Sequence, residues 1–248
     1  YETVRNIHET LNELIEEHKE DPDPLSLDKT DVKKIFEQSG VSNEKLEEFD
    51  KTYTEKEHKT SDIIWICWFQ GMDNAPDLVK KCYESVVKNN PGKKVIVLTE
   101  KNISDYVTFP EYIVTKWKQG VITHTHMTDL LRLELLITYG GLWLDATVLC
   151  TGTAPEYFFD SDLFFFQTLK PGGHASYISS WLMEAKTNNK ILMASRELCY
   201  EYWKTNNTML DYFLLHDFMS IVLEKYEEDW KKIIPRDNAT PHILLLRL

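Results

Sequence analysis

The sequence predicts one α/β unit on a mostly parallel central sheet, preceded by a helical arm, and three observations carry that expectation. Ile63-Ile64-Trp65-Ile66-Cys67-Trp68-Phe69 and Val95-Ile96-Val97-Leu98 are continuous apolar runs, as expected of strands buried on both faces of a parallel sheet. Between them lies a helical stretch from about Pro76 to Asn89, closed by Pro91-Gly92, so residues 62–99 form a strand, helix, strand crossover. A third apolar strand, Leu142-Trp143-Leu144, follows directly on a long apolar helix stopped by Gly140-Gly141. A length of 248 residues with 42% hydrophobic content is enough to bury one such core.

Taken in order, residues 1–60 are rich in Glu and Lys, with Leu11, Leu14 and Ile15 at helical spacing and a break at Asp21-Pro22-Asp23-Pro24. They are expected to form a solvated arm of up to three short helices, set apart from a second unit over 61–248. Residues 103–118, with Phe109-Pro110, are expected to be irregular. His126-Met127-Thr128-Asp129 then leads into a helix over Leu130 to Tyr139, and the third strand delivers Asp145 at its end before Thr147-Val148-Leu149 continues apolar. Leu163-Phe164-Phe165-Phe166 is a further buried strand and Pro171-Gly172-Gly173 a turn. The remainder is expected to be helical, from about Asn189 to Lys204 and from about Met209 to Tyr226. The chain closes on Ile243-Leu244-Leu245-Leu246-Arg247-Leu248 without a cap or turn signal, so the second unit is expected to be incomplete at its C-terminal end.

A formal net charge of −12 argues against nucleic acid as a partner, because binding to a phosphate backbone draws its affinity from clustered Lys and Arg. A diphosphate-bearing ligand would need a cation, an Arg or a helix N-terminus to reverse the field locally. Cys67, Cys82, Cys150 and Cys199 are widely spaced and fit reduced thiols in a cytoplasmic protein. No apolar run approaches the roughly 20 residues that span a bilayer, so membrane contact is expected to be peripheral.

Asp145 is the first candidate for chemistry, since open α/β sheets bind ligands at the carboxyl ends of their strands, and a hard oxygen ligand there suits magnesium or manganese. The structural alternative is a turn cap. Asp129 and Arg132, three apart on an apolar helix, need partners or a polar cleft; they form either a mutual structural pair, or a site in which Asp129 touches the sugar or ribose of a donor and Arg132 supplies positive charge. Trp68 and Gln70 at the end of the first strand could stack on and hydrogen-bond a nucleobase, or belong to the core. Asp211, His216 and Asp217 fall on a helical segment, where His216 suits acid-base work or ligation and the aspartates suit an acceptor hydroxyl. The spacing of His124 and His126 suggests a strand or loop and a structural role. Gly172-Gly173-His174 lacks the lysine and spacing of a phosphate-binding loop.

Ile64-Trp65-Ile66-Cys67-Trp68-Phe69-Gln70-Gly71, Thr128-Asp129-Leu130-Leu131-Arg132 and Tyr139-Gly140-Gly141-Leu142-Trp143-Leu144-Asp145-Ala146-Thr147 together resemble the capsular polysaccharide synthesis protein family. That family is similar to the glycosyltransferases with a DXD sugar-binding region. The resemblance covers about residues 60–248 and implies a Rossmann-like glycosyltransferase A-type fold. It implies a hexosyltransferase that moves a sugar from a nucleotide-sugar donor, a UDP-sugar first, to a saccharide or lipid-linked saccharide in capsule or surface polysaccharide synthesis. Such an enzyme would be bacterial and cytoplasmic, at the inner membrane face if the acceptor is lipid-linked.

In that resemblance Asp129 contacts the donor, with Thr128 standing where relatives have Ser, and Asp145 is the first Asp of the Asp-x-Asp pair. The second falls on Thr147, a departure that removes one anionic metal ligand. The implied donor-binding set is Trp68, Gln70, Thr99, Asp129, Arg132 and Gly141. A divalent manganese or magnesium ion would sit at Asp145 and Thr147, and Asp129, Asp145, Asp211, His216 and Asp217 are the catalytic candidates. Relatives also use a late histidine, for which His216 and His242 are available. Most retain anomeric configuration. Thr147 equally suits a catalytically silent nucleotide-sugar-binding or scaffold subunit. Asn102-Ile103-Ser104, Asn206-Asn207-Thr208 and Asn238-Ala239-Thr240 match glycosylation acceptors and leave a eukaryotic luminal enzyme as a third reading.

Overall fold

The computed structural model describes residues 29–167 and 178–241. Its first two helices, α1 (Lys29–Gln38) and α2 (Asn43–Thr52), each turn a narrow apolar stripe inward: Val32 and Phe36 on one, Leu46 and Phe49 on the other. All four side chains are at most 7% exposed and belong to the main core, where Phe36 meets Phe218 edge to face with centroids 6.0 Å apart. This stretch is therefore core wall and not the solvated arm expected from composition. Two inward residues per helix carry little weight against the Glu and Lys around them. The readings on Leu11, Leu14, Ile15 and residues 21–24 lie outside the described residues.

β1 (Ile63–Cys67) is buried from its second residue onward, as a run with no polar side chain on either face must be. α3 (Asp77–Asn89) carries the chain from β1 to β2 (Lys94–Leu98), burying Val79, Cys82 and Val86. β1 and β2 are parallel, with Ile63 opposite Lys94 and Cys67 opposite Leu98, which bears out the expected crossover unit. The segment expected to be irregular holds α4 (Glu111–Lys118). Its signal is Pro110, which occupies the helix N-cap with φ −53°, close to the angle a helix needs for its next residue. α5 (His124–Tyr139) starts six residues before the expected Leu130, because the Thr123 hydroxyl accepts from the backbone N–H of His126 and caps it. His124 and His126 therefore lie on this helix, and the strand or loop suggested by their spacing is corrected.

Gly140 ends α5 and β3 (Gly141–Leu144) follows at once, parallel to β1. Both glycines have positive φ, 66° and 97°, and a Cβ on Gly141 would lie 2.4 Å from the carbonyl oxygen of Ile63. The pair thus lets β3 start in contact with β1. β4 (Leu163–Gln167) is where its apolar run predicts it, but the sheet contains a strand the sequence hides, β5 (Ile178–Ala185). β5 lies between β3 and β4 and is antiparallel to both, giving the order β2-β1-β3-β5-β4 with four of the five strands running the same way. Ser179, Ser180 and Glu184 interrupt its apolar pattern although all three are buried, so neither alternation nor a continuous run betrays it.

Three helices follow: α6 (Lys190–Thr205), capped by the Asn189 side chain, α7 (Leu214–Lys225) and α8 (Glu227–Trp230). The expected start of α7 near Met209 moves to Leu214, because the Asp211 carboxylate accepts from Phe213 N–H and holds the preceding residues in a turn. Alternation along the strands divides the core. Trp65, Trp143, Phe165 and Met183 face a thick layer that includes α1, α2, α5, α6 and α7. Ile64, Leu142, Leu144, Phe164 and Phe166 face a thinner cluster closed by Val86 of α3 and Phe158. The result is a mixed α/β fold. Among the described residues no helix is long and apolar enough to cross a membrane.

Glu184 is the costly residue in this sheet. It is 1% exposed, stands opposite Leu142 and Phe164, and its Oε2 has no hydrogen-bond partner among the described residues. Burial pushes its carboxyl up to about 8, against the pull of Lys186 and Lys93. The folded state therefore keeps a proton that the unfolded chain releases above its ordinary value of 4.5, so stability falls as pH rises between about 4.5 and 8. By pH 7 the loss is on the order of 3 kcal/mol. Glu184→Gln is expected to raise Tm at pH 7.5 by roughly 5–10 °C and to leave it unchanged near pH 4.5. Calorimetric scans at both pH values check this, and parallel pH profiles for the two proteins would refute it.

Candidate functional site

The parallel strands β1, β2 and β3 end at one edge of the sheet, and each delivers a polar residue or turn there. Asp145 follows β3 directly. Its backbone N–H donates to the Trp181 carbonyl at 2.8 Å, which continues the ladder to β5 by one residue and holds the aspartate at the rim. Its side chain is 39% exposed. α5 lays Asp129 and Arg132 against this rim, both buried, at 6% and 3% exposure.

Arg132 joins the two acids. Its Nη2 lies 3.2 Å from Asp129 Oδ1 and 3.4 Å from Asp145 Oδ1, while Nη1 donates to the Ser180 carbonyl on β5 and Nε to the Thr128 carbonyl. The guanidinium also lies 5.1 Å from the centroid of the Trp143 ring. Trp143 donates from Nε1 to Asp145 Oδ1 at 2.8 Å. The pair at Asp129 and Arg132 is thus part of a network that reaches the strand end. Burial pushes the Asp129 carboxyl up to about 7, with Arg132 pulling it down and the nearby charge of Asp145 adding to the rise. Burial also pushes the neighbouring Cys67 thiol up to about 12, so it is no nucleophile at neutral pH. All four cysteines are free, in line with the expected reduced thiols.

The other predicted residues divide by place. Trp68 and Gln70 lie in the turn after β1, where Trp68 N–H donates to the Leu98 carbonyl and Gln70 is exposed. The Trp68 indole N–H is buried and has no partner among the described residues. Thr99 follows β2, and its backbone N–H and hydroxyl are both engaged by the Asn102 side chain, so its visible work is to hold that turn. Gly141 opens β3 and so lies at the far end of that strand from Asp145, where its visible work is the close approach of β3 to β1. Thr147 is exposed in the loop beyond Asp145.

Asp211, His216 and Asp217 are not gathered into the network. Asp211 is in the turn before α7, His216 packs its ring against Phe213 at 5.2 Å, and Asp217 is buried on α7. Their segment meets α5 through His126, whose Nε2 is 3.3 Å from the Tyr212 carbonyl, one turn before Asp129. Residues 172–174 and His242 lie outside the described residues. Sequence reasoning missed Trp143 and the Ser180 carbonyl. The first was findable: residues two apart on a strand share a face, so a tryptophan two before Asp145 lies beneath its carboxylate.

Among the described residues no three His, Cys, Asp or Glu side chains converge to form a metal cage. Asp145, part-exposed at the strand end, is the carboxylate present that could take a magnesium-type ion, which commonly uses one or two protein carboxylates and completes its shell with water and substrate phosphates.

Over 92 residues, 34% of this chain, the sequence is 32% identical to the O-glycosyltransferase braB of Annulohypoxylon truncatum, and the match spans 22% of that protein's length. Among solved structures, the PaToxG glycosyltransferase matches 82% of this chain and 82% of its own, at 16% identity and a TM-score of 0.47. The family model for capsular polysaccharide synthesis proteins matches residues 17–248. A match of that extent shows that the chain belongs to the capsular polysaccharide synthesis protein family.

Proposed function

We propose that this chain is a glycosyltransferase of the A-type, Rossmann-like kind, which binds a nucleotide-sugar donor at the carboxyl edge of β1, β2 and β3 and transfers its sugar to a saccharide acceptor. The observation that carries the reading is Arg132. A guanidinium held at 3% exposure between two carboxylates is expensive to desolvate, and the arrangement opens to solvent through Asp145.

Glycosyl transfer passes through an oxocarbenium-like state with negative charge growing on the departing diphosphate. Arg132 supplies fixed positive charge beside that position. Asp129 holds Arg132 in place and would face the sugar or ribose. Asp145 and Thr147 would hold a manganese or magnesium ion, which would neutralise the diphosphate as it leaves. Trp68, with its unused indole N–H, and Gln70 would meet the base. A UDP-sugar as donor, retention of configuration and a lipid-linked saccharide acceptor in surface polysaccharide assembly complete the proposal, on family resemblance.

Calorimetric titration with a panel of nucleoside diphosphates and their sugars, with manganese and with chelator, tests it. Asp145→Ala is expected to weaken metal-dependent binding at least about tenfold and turnover by roughly a hundredfold. The second reading, a silent donor-binding subunit, is favoured by Thr147 in place of a carboxylate, and predicts binding without release of sugar. Absence of binding to every member of the panel would defeat both.

A further inference from the structure

Two wholly buried tryptophans face each other across the centre of the sheet, Trp65 on β1 and Trp143 on β3, in register. A buried indole N–H needs an acceptor, and the two find different kinds. Trp65 donates to the backbone carbonyl of Gly140 at 2.9 Å, a bond internal to the fold. Trp143 donates to a carboxylate at the solvent edge, Asp145 Oδ1, at 2.8 Å.

The Trp143 ring has little freedom to leave that bond. Trp65 and Met183 stand in register on either side of it, in the strands β1 and β5, and the Arg132 guanidinium covers it at 5.1 Å. The same guanidinium approaches Asp145 Oδ1 at 3.4 Å. Among the described residues the Trp143 hydrogen bond and the Arg132 ion contact thus fall on the same Asp145 oxygen, and the side chain remains 39% exposed. A carboxylate held at one oxygen by a hydrogen bond and a neighbouring cation is restrained in its rotation, and its other oxygen is left clear of both contacts.

We infer that Trp143 is a positioning residue of the donor site: its indole N–H locks the Asp145 carboxylate so that Oδ2 is offered to a divalent cation brought in with the donor diphosphate. The inference rests on the function proposed above. A phenylalanine at this position keeps the ring and its packing and loses only the N–H.

The test is Mn2+ binding by the full chain, read from the electron paramagnetic resonance of free Mn2+ beside whichever nucleoside diphosphate the wild type binds. Trp143→Phe is expected to weaken Mn2+ roughly tenfold. Trp65→Phe, which also loses one buried N–H, is expected to bind Mn2+ as the wild type does while showing a similar fall in Tm. Wild-type affinity in Trp143→Phe, with affinity lost in Asp145→Ala, would overturn the positioning role alone. Wild-type affinity in Asp145→Ala, or no Mn2+ binding by the wild type with any nucleotide, would overturn the site reading and this inference with it. A second readout needs no folded Trp143 variant. In 15N,13C-labelled wild-type protein, with the tryptophan indole resonances assigned through bonds to their backbones, Mg2+ with nucleotide is expected to move the Trp143 indole resonance and not that of Trp65. An unmoved Trp143 resonance with nucleotide bound would also overturn the role.

Discussion

Arg132→Leu is expected to fold poorly and to lose transfer by about a thousandfold, the largest functional loss at this site. Two costs add. Removing the guanidinium leaves the buried Asp129 carboxylate and the neighbouring Asp145 facing each other without a cation, and breaking a buried ion pair on one side costs about 3–5 kcal/mol. It also leaves the Ser180 and Thr128 carbonyls without their donor. The stability part is separable. Asp129→Asn in the Arg132→Leu background removes the stranded charge, so the double variant is expected to regain more than half of the lost stability while staying inactive. Denaturant midpoints and donor turnover on the four corners of the cycle measure both parts. A double variant no more stable than Arg132→Leu would show that the arginine's packing, and not its charge, holds this edge together.

Gly141→Ala is expected to lower Tm by roughly 10 °C, corresponding to about 3–4 kcal/mol. One methyl group there would meet the Ile63 carbonyl oxygen at 2.4 Å, and φ is 97°, a region that costs any L residue. The neighbour is backbone in the middle of the sheet and cannot turn aside as a flexible side chain would. Gly152→Ala, with nothing within 4 Å of the added carbon, is the control and is expected to change Tm by less than about 1 °C. Equal melting of the two variants would show that β1 and β3 can slide apart at no cost.

Much of this fold was legible because four of its five strands are largely apolar. β1, β2, β3 and β4 each announce themselves by runs such as Ile63 to Phe69 and Leu163 to Phe166. β5 did not, since Ser179, Ser180 and Glu184 break its apolar pattern at positions that are nonetheless buried. The start of α5 was hidden in the same way, because three polar residues, His124, Thr125 and His126, precede its apolar stretch and only the Thr123 cap reveals it. At the site, Asp129, Arg132 and Asp145 were singled out from the motif strings, and the structure gathers them. That one arginine serves both acids depends on how α5 lies across β3, which no local pattern encodes. Gly141 carries a packing demand that its motif does not announce, since its missing side chain lets β3 start against β1.

The interlock of Phe36 with Phe218 has a practical consequence for dissecting the protein. The lysine- and glutamate-rich stretch ahead of the sheet has the composition of a dispensable leader, and a fragment beginning at residue 61 would be the natural one to express. Such a fragment would uncover the α6 and α7 surfaces on which α2 and α1 rest, and would cut the bond from the Tyr226 hydroxyl to Asp50. Resistance to protease should therefore extend back along the chain past residue 61 through α2 and α1, and the minimal autonomous piece is longer at its front than its charge pattern suggests.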